Sequence, residues 1–294
     1  MGKLTPGHAA LGLIAALGLT LAGVRASVAQ DPAPAERPGP PAGEVVVPVS
    51  STAAPAPDPA PEARLELHAG GQCYGDGKLL YAPESGAGFA RLQQWLQQRA
   101  AGMEKRHDRI LGMELPDGVF ALRADRNAPF KYVQKVLESC GRSDTLLWKT
   151  AFEVSLPEDR GPGLLRCYLP RDVGVNTTDA EPKEKVEIRI LVLDPGQRRR
   201  ADDPEQAWDG TGRFVYAGRE LEYRMGPWKG RDLKGVARRL TTLYRHDAHG
   251  GEIRDVTIDA RRGVLHGEVV AVIDAVLQAG YSEVTFVGSY EDDD

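Results

Sequence analysis

The spacing of apolar positions changes period twice between Asp255 and Val287, and that change defines a unit. Val256, Ile258 and Ala260 alternate with polar residues, the two-residue period of a half-buried strand. After a polar turn, Val269, Val272, Ile273, Val276 and Leu277 recur at three- and four-residue spacing and predict one apolar helix face. Gly280 stops that helix, and Glu283 to Val287 begin a new strand. The same succession starts earlier, at Val119. Leu122 falls on Ile258, Ala124 on Ala260, Ala128 on Val264, Val133 on Val269 and Val136 on Val272, with no gap. One strand–turn–helix–strand unit is written twice.

Upstream of each copy the pattern supplies further elements. In the first, Leu65 and Leu67 start a strand. The glycine-rich run Gly70 to Gly77 reads as a turn, and Lys78 to Tyr81 as the returning arm of a hairpin. Phe89, Leu92, Trp95 and Leu96 share a helical face, and Glu104 to Pro116 reads as a charged connection. Then come a strand at Val119 to Ala124, a helix at Pro129 to Cys140 and a strand at Leu146 to Val154, with Pro129 suited to a first helical position. In the second copy Val186, Ile188, Ile190 and Val192 alternate. Asp194 to Asp209 is a polar insertion, Phe214 to Tyr223 returns, and Leu233, Val236, Ala237, Leu240 and Leu243 predict an amphipathic helix. The expected fold is α+β: two tandem domains, 63–157 and 184–290, each a mixed sheet with two helices packed on one face. Between them 158–183, rich in Pro, Gly, Asp and Arg, reads as a linker poor in core residues, so few contacts are expected between the domains.

The N-terminal third follows other rules. Residues 1–30 read as a targeting segment: Lys3, an uninterrupted Ala/Leu/Gly-rich run from Ala9 to Val24, and Ser27-Val28-Ala29 as a small-x-small cleavage site. The run is short of the roughly 20 residues a spanning helix needs, which favours a cleaved export signal over a retained anchor at 9–24. Residues 31–62 hold ten of the 21 prolines. Such a Pro/Ala-rich stretch predicts a disordered, extended linker of about 3.1 Å per residue. The last residues, 291–294, form an acidic tail. Against 37 Lys and Arg stand 42 Asp and Glu. That balance argues against nucleic acid as a partner, because phosphate neutralisation needs surplus cations.

Candidate chemistry is thin. Cys73, Cys140 and Cys167 make an odd set, read as small buried hydrophobes, with Cys73–Cys140 the one bridge that export would allow. His246 and His249 flank Asp247 at helical spacing, but a metal site needs a third ligand, and His266 is distant in sequence. A histidine near a helix C-terminus serves the helix dipole. No nucleophile elbow, zinc-helix signature or phosphate loop occurs. No catalytic, cofactor or metal residue is therefore assigned, and the chain is read as non-enzymatic.

The order "apolar-x-Ala-Asp, short turn, Pro, helix, Gly, strand" resembles the periplasmic domain of the ExbD/TolR biopolymer-transport family. Leu122-Arg123-Ala124-Asp125 with Pro129-Phe130 carries the resemblance in the first copy; Ala260 and Ala279-Gly280-Tyr281 carry it in the second, where Arg261 replaces the Asp. The resemblance implies structural roles for Ala124, Asp125, Pro129, Ala260 and Gly280. It also implies dimerising periplasmic domains, contact with partner proteins or peptidoglycan, and work beside a proton-driven inner-membrane complex serving envelope transport or integrity. Family members carry an Asp in their membrane helix. Residues 1–30 hold no Asp or Glu, so an accessory or scaffold role follows rather than a motor one. Two rival classes are an exported peptidoglycan- or ligand-binding module and a secreted hydrolase. If the signal is cleaved after Ala29, Lys3 and Arg25 are lost with no acidic residue, and the net charge moves from −5 to −7. Intact-mass spectrometry of the exported chain should show a mature protein beginning at Gln30; an intact Met1 in the membrane fraction would identify an anchor.

Overall fold

The structure is a computed structural model, and it describes residues 44–57, 61, 63–83, 89–109, 112–168 and 185–287. The expected export signal and acidic tail lie outside these residues, as does the stretch 31–43 of the expected linker. The described residues belong to one compact unit of mixed α/β structure, an α+β arrangement with four helices among them.

In the first half β1 (Ala54–Pro55), β2 (Ala63–Leu67), β3 (Cys73–Gly75) and β4 (Lys78–Tyr81) precede α1 (Ala90–Gly102). A separate exposed hairpin, β5 (Lys105–Asp108) and β6 (Met113–Pro116), follows. Then come β7 (Phe120–Ala124), α2 (Phe130–Gly141), β8 (Lys149–Ser155) and β9 (Pro162–Tyr168). The second half runs β10 (Lys185–Asp194), β11 (Gln197–Arg200), β12 (Phe214–Ala217), β13 (Glu220–Met225) and β14 (Trp228–Gly230), then α3 (Leu233–Gly250), β15 (Asp255–Ala260), α4 (His266–Gln278) and β16 (Val284–Phe286).

Strand pairing in the two halves has one topology. The first sheet is ordered β1-β9-β8-β7-β2-β3-β4 and the second β14-β13-β10-β15-β16. β2 lies parallel to β7 as β10 does to β15, and β7 parallel to β8 as β15 does to β16. Registers agree: Leu65 faces Leu122 where Ile188 faces Ile258, and Leu122 faces Phe152 where Ile258 faces Phe286. The alternation seen in the sequence explains the sheet faces. Leu65, Leu67, Leu122, Ile188, Ile190 and Ile258 are fully buried, and Val133, Val136, Val269 and Val272 meet them from the helices. Among the described residues no strand of one half joins the main sheet of the other.

Several sequence expectations need correction. The run Gly70 to Gly77 is not one turn: Cys73–Gly75 forms β3, and the chain reverses at Asp76-Gly77, both in the left-handed region. Glu104 to Pro116 is a hairpin rather than a connection. Pro129 caps α2 instead of opening it, with ψ 126°. The expected linker 158–183 contains β9, which pairs along its whole length with β8 and buries Leu165 and Cys167. The expectation of few contacts between the halves also fails, because they share a core described below.

The largest departure is the stretch 44–57, expected as part of a disordered linker. It lies as a strap across both halves. Val49 bridges Ser155, Ser155 N–H donates to the Pro48 carbonyl (2.9 Å), and Ser50 N–H donates to the Ser155 carbonyl (3.0 Å). Farther on, β1 pairs with β9. The strap also reaches α4 of the second half, where Asp274 accepts bonds from Ser50 Oγ (2.6 Å), Ser51 N–H (2.8 Å), Ser51 Oγ (3.1 Å) and Thr52 Oγ1 (2.5 Å). Composition alone misses such a segment because, beyond the burial of Val45 and Pro48, it is held by backbone and hydroxyl bonding. No described helix is long and apolar enough to cross a membrane.

Replacing Asp274 with Ala removes every one of these side-chain acceptors. Hydrogen bonds to a charged group typically contribute about 1.5–3 kcal/mol, and relaxation and exposure reduce the net. We expect a loss of roughly 1–3 kcal/mol in denaturant unfolding, with hydrogen-exchange protection lost at Ser50 and Ser51. Unchanged protection there would show that β8, β9 and the turn at Asp125 hold the strap without Asp274.

Candidate functional site, the paired strand-to-helix turns

The two strand-to-helix turns that carry the duplicated pattern meet each other. In the first, Asp125 N–H donates to the Leu67 carbonyl (2.8 Å) and Ala128 N–H returns to the Asp125 carbonyl (2.9 Å). In the second, Arg261 N–H donates to the Ile190 carbonyl (3.0 Å) and Val264 N–H to the Arg261 carbonyl (3.1 Å). These are matched positions making matched bonds. Where the turns touch, Pro129 and Leu265, themselves matched, form an antiparallel bridge. Phe130 N–H donates to the Val264 carbonyl and His266 N–H to the Ala128 carbonyl, both at 2.8 Å. Each turn thus gives the other what it receives, the pattern of a two-fold, isologous contact, here within a single chain.

Side chains extend this local two-fold. Phe130 and His266 lie parallel, with centroids 6.4 Å apart. Phe152 and Phe286, also matched by register, are 6.2 Å apart, and the edge contacts Phe152–His266 (4.8 Å) and Phe130–Phe286 (5.3 Å) close the cluster. Four rings, two from each half, make an aromatic core between the copies. Gln134 adds a polar tie, its amide donating to the Val287 carbonyl at 2.9 Å.

The residues singled out by sequence divide in role. Ala124 is fully buried and Ala260 nearly so, each ending a strand where a larger side chain would displace the helix. Asp125 is buried to 6% exposure and is a turn residue: Oδ1 accepts Asn127 N–H (2.8 Å) and Oδ2 accepts Val46 N–H (2.9 Å) from the strap. Arg126 N–H donates back to the Val46 carbonyl (2.8 Å). Pro129 sits at the two-fold bridge. Gly280 has φ 109°, and a Cβ there would come within 2.7 Å of the Tyr244 ring, so both backbone and space require glycine. Ala124, Asp125, Pro129 and Ala260 thus come together at the turns, while Gly280 lies at the far end of α4.

Around the second turn Arg219 replaces the role of a carboxylate. Its guanidinium pairs with Glu268 and also donates to the Gly263 and Pro195 carbonyls, while Glu268 Oε2 accepts Leu265 N–H (2.8 Å). Arg261 turns back on Asp259, whose carboxylate also takes Arg189. Asn127 reaches across to the Phe214 carbonyl (2.9 Å) of the β11–β12 arm. Sequence reading missed Arg219, Asn127, Val46 and Asp274; only the capping glutamate, three residues beyond Leu265, left a local signal.

The other candidates stay apart. Asp247 is buried against Arg254; burial works to raise its carboxyl, and Arg254 more than offsets this and holds it below the usual range. His246 beside it is largely exposed. Among the described residues no three His, Cys, Asp or Glu side chains come together as a metal cage. The three cysteines are free and buried, with no Cys73–Cys140 bridge, and burial pushes the Cys73 and Cys167 thiols up to about 12. No known family, curated protein or solved structure matches the chain.

His266 is the exceptional member of the aromatic core. It is fully buried, neither ring nitrogen has a hydrogen-bond partner, and burial pushes its pKa down to about 3. The folded value lies below the unfolded 6.5, so below about pH 6.5 the unfolded chain binds a proton that the folded chain refuses. His266 therefore costs no protonation energy above pH 6.5 and destabilises increasingly as pH falls towards 3, by about 1.4 kcal/mol per pH unit. Wild type should lose stability over that window relative to His266→Phe, which copies its mate Phe130. Parallel pH–stability curves for the two proteins would show that the imidazole is protonated in place.

Proposed function

We propose that this chain is a non-catalytic protein of the cell envelope whose body is an intramolecular pair of ExbD/TolR-like units. The observation that carries the proposal is the reciprocal backbone exchange between Ala128–Phe130 and Val264–His266. Domains of that family dimerise, and here a duplicated unit meets its own copy through matched residues. The charged residues at the turns also support a structural reading: Asp125 is committed to backbone N–H groups, and Glu268 and Arg219 to backbone groups and to each other. Carboxylates held this way define geometry and are not free to exchange protons with a substrate.

In this reading the N-terminal segment exports or tethers the chain, the Pro-rich stretch gives it reach, and the paired body acts as an accessory to a proton-driven inner-membrane complex. Because residues 1–30 contain no carboxylate, proton movement belongs to the partner. The partner is a polytopic proton-channel protein or its membrane-anchored companion, and peptidoglycan is the alternative anchor.

In-cell crosslinking of the full chain from its native host tests this. The expected product contains a polytopic inner-membrane protein whose loss weakens envelope integrity. Crosslinks confined to cell-wall glycan, with no membrane-protein product, would overturn the motor-accessory role in favour of a wall-binding module.

A further inference from the structure

A second region lies away from the paired turns, on the second half, where β14 leads into α3. A groove of about 460 Å³ runs there between Trp228, Lys229, Gly230 and the first turns of α3, which contribute Asp232, Gly235, Arg238, Arg239 and Thr242. Its charge is one-sided. Lys229, Arg238 and Arg239 line it against a single carboxylate, Asp232, which is already engaged as the helix cap by accepting Gly235 N–H at 2.6 Å. Other cations nearby are paired, Arg224 with Glu222 and Arg231 with Glu220. The side chains of Arg238 and Arg239 have no ion-pair or hydrogen-bond partner among the described residues, and Arg239 Nε is shielded from solvent without an acceptor.

A buried guanidinium N–H without an acceptor is unusual, because desolvation is then uncompensated. The Trp228 ring occupies the space beside the groove's glycines. A Cβ at Gly230 would overlap the Trp228 ring, and one at Gly235 would stand 3.4 Å from it. Thr242 Oγ1 donates to the Arg238 carbonyl (3.0 Å), leaving the hydroxyl oxygen able to accept. Two guanidinium forks from α3 face an ammonium and an indole from β14 across the groove; such a set suits oxyanions, since guanidinium matches phosphate and carboxylate in a bidentate fashion.

We propose that Lys229, Arg238 and Arg239 form a binding site for a multivalent organic oxyanion, with Trp228 at its border. The volume is too large for one small ion and fits a molecule carrying two or more phosphate or carboxylate groups. The site does not depend on the family resemblance, and its failure would leave the proposed function untouched.

The test uses the full mature chain and two probes, tripolyphosphate and citrate, followed by calorimetry and by Trp fluorescence at low salt. Saturable binding of either supports the site, weakening as salt rises. Preference for tripolyphosphate identifies a phosphorylated ligand, and preference for citrate a polycarboxylate. Arg239→Gln should weaken binding about tenfold, as expected for one lost charge-assisted hydrogen bond. Arg160→Gln, on a distant turn, should leave it unchanged. Asp232→Asn keeps the helix cap but removes the opposing charge, so it should tighten binding, an outcome that folding damage cannot mimic. No binding of either probe at millimolar concentration, or equal binding by wild type and Arg239→Gln, would overturn the proposal.

Discussion

The fold depends on one backbone exchange. Two peptide N–H groups and two carbonyls at the ends of β7 and β15 would be unpaired orphans at helix N-termini if each half stood alone, since the first turn of a helix leaves its donors unmatched. Here Phe130 and His266 each give one such donor to the other copy. The aromatic core follows from this constraint. Once the two helices start at a shared bridge, the first residue of each must face the other, and the neighbouring strands β8 and β16 bring Phe152 and Phe286 to the same place. A solvated turn in an isolated domain has become a buried seam.

The strap then closes what the seam begins. Val46 bonds to Asp125 at the first turn, Pro48 and Ser50 to Ser155 on β8, and the hydroxyls of residues 50–52 to Asp274 on α4. It touches both halves within a few residues of the bridge. Among the described residues its first bonds are those of the Val45 carbonyl, which accepts Arg123 Nη2 (3.4 Å), and of Val46 with Asp125 and Arg126, at the first turn.

How much of this was legible in the sequence depends on whether burial or bonding does the work. β10 alternates because one face meets the core, and β7, α2, β15 and α4 hold their apolar positions closely enough to period for the pattern to find them, although β7 is buried on both faces. β3 is three residues, Cys73 to Gly75, between glycines, too short to show a period. β5 is largely exposed, with Lys105, Arg106 and His107 along it, and β6 buries only Leu115 and Pro116, so no apolar alternation marks the hairpin. β9 opens with Pro162 and Gly163, which read as linker; it is nonetheless a strand because its outer edge takes only the two residues of β1, and Pro162 serves through its carbonyl, which accepts Ala56 N–H. The strap has no periodicity at all. At the site, Ala124, Asp125 and Pro129 could be found locally, whereas Arg219, Asn127 and Asp274 gain meaning only from partners dozens to hundreds of residues away.

Duplication within one chain permits what a dimer of identical chains does not: the two sides of the seam can differ. Asp125 is matched by Arg261, and the two turns are stabilised oppositely, one by a carboxylate that accepts N–H groups from the turn and strap, the other by the Arg219 guanidinium that donates to carbonyls. Phe130 is matched by His266. Across a true two-fold each residue meets its own kind, so two imidazoles would face each other in an apolar core and leave four ring nitrogens to satisfy. With one His and one Phe, a single neutral imidazole stacks on a hydrocarbon ring, and the cost of its unpaired nitrogens is borne once. The extra bond from Gly267 N–H to the Arg126 carbonyl, at a position where a Cβ would crowd that same carbonyl at 3.1 Å, belongs to the same divergence. The geometry of the seam is symmetric, while its chemistry differs between the two halves: the first turn binds the strap through Asp125, and the second half carries the titratable ring and the basic groove.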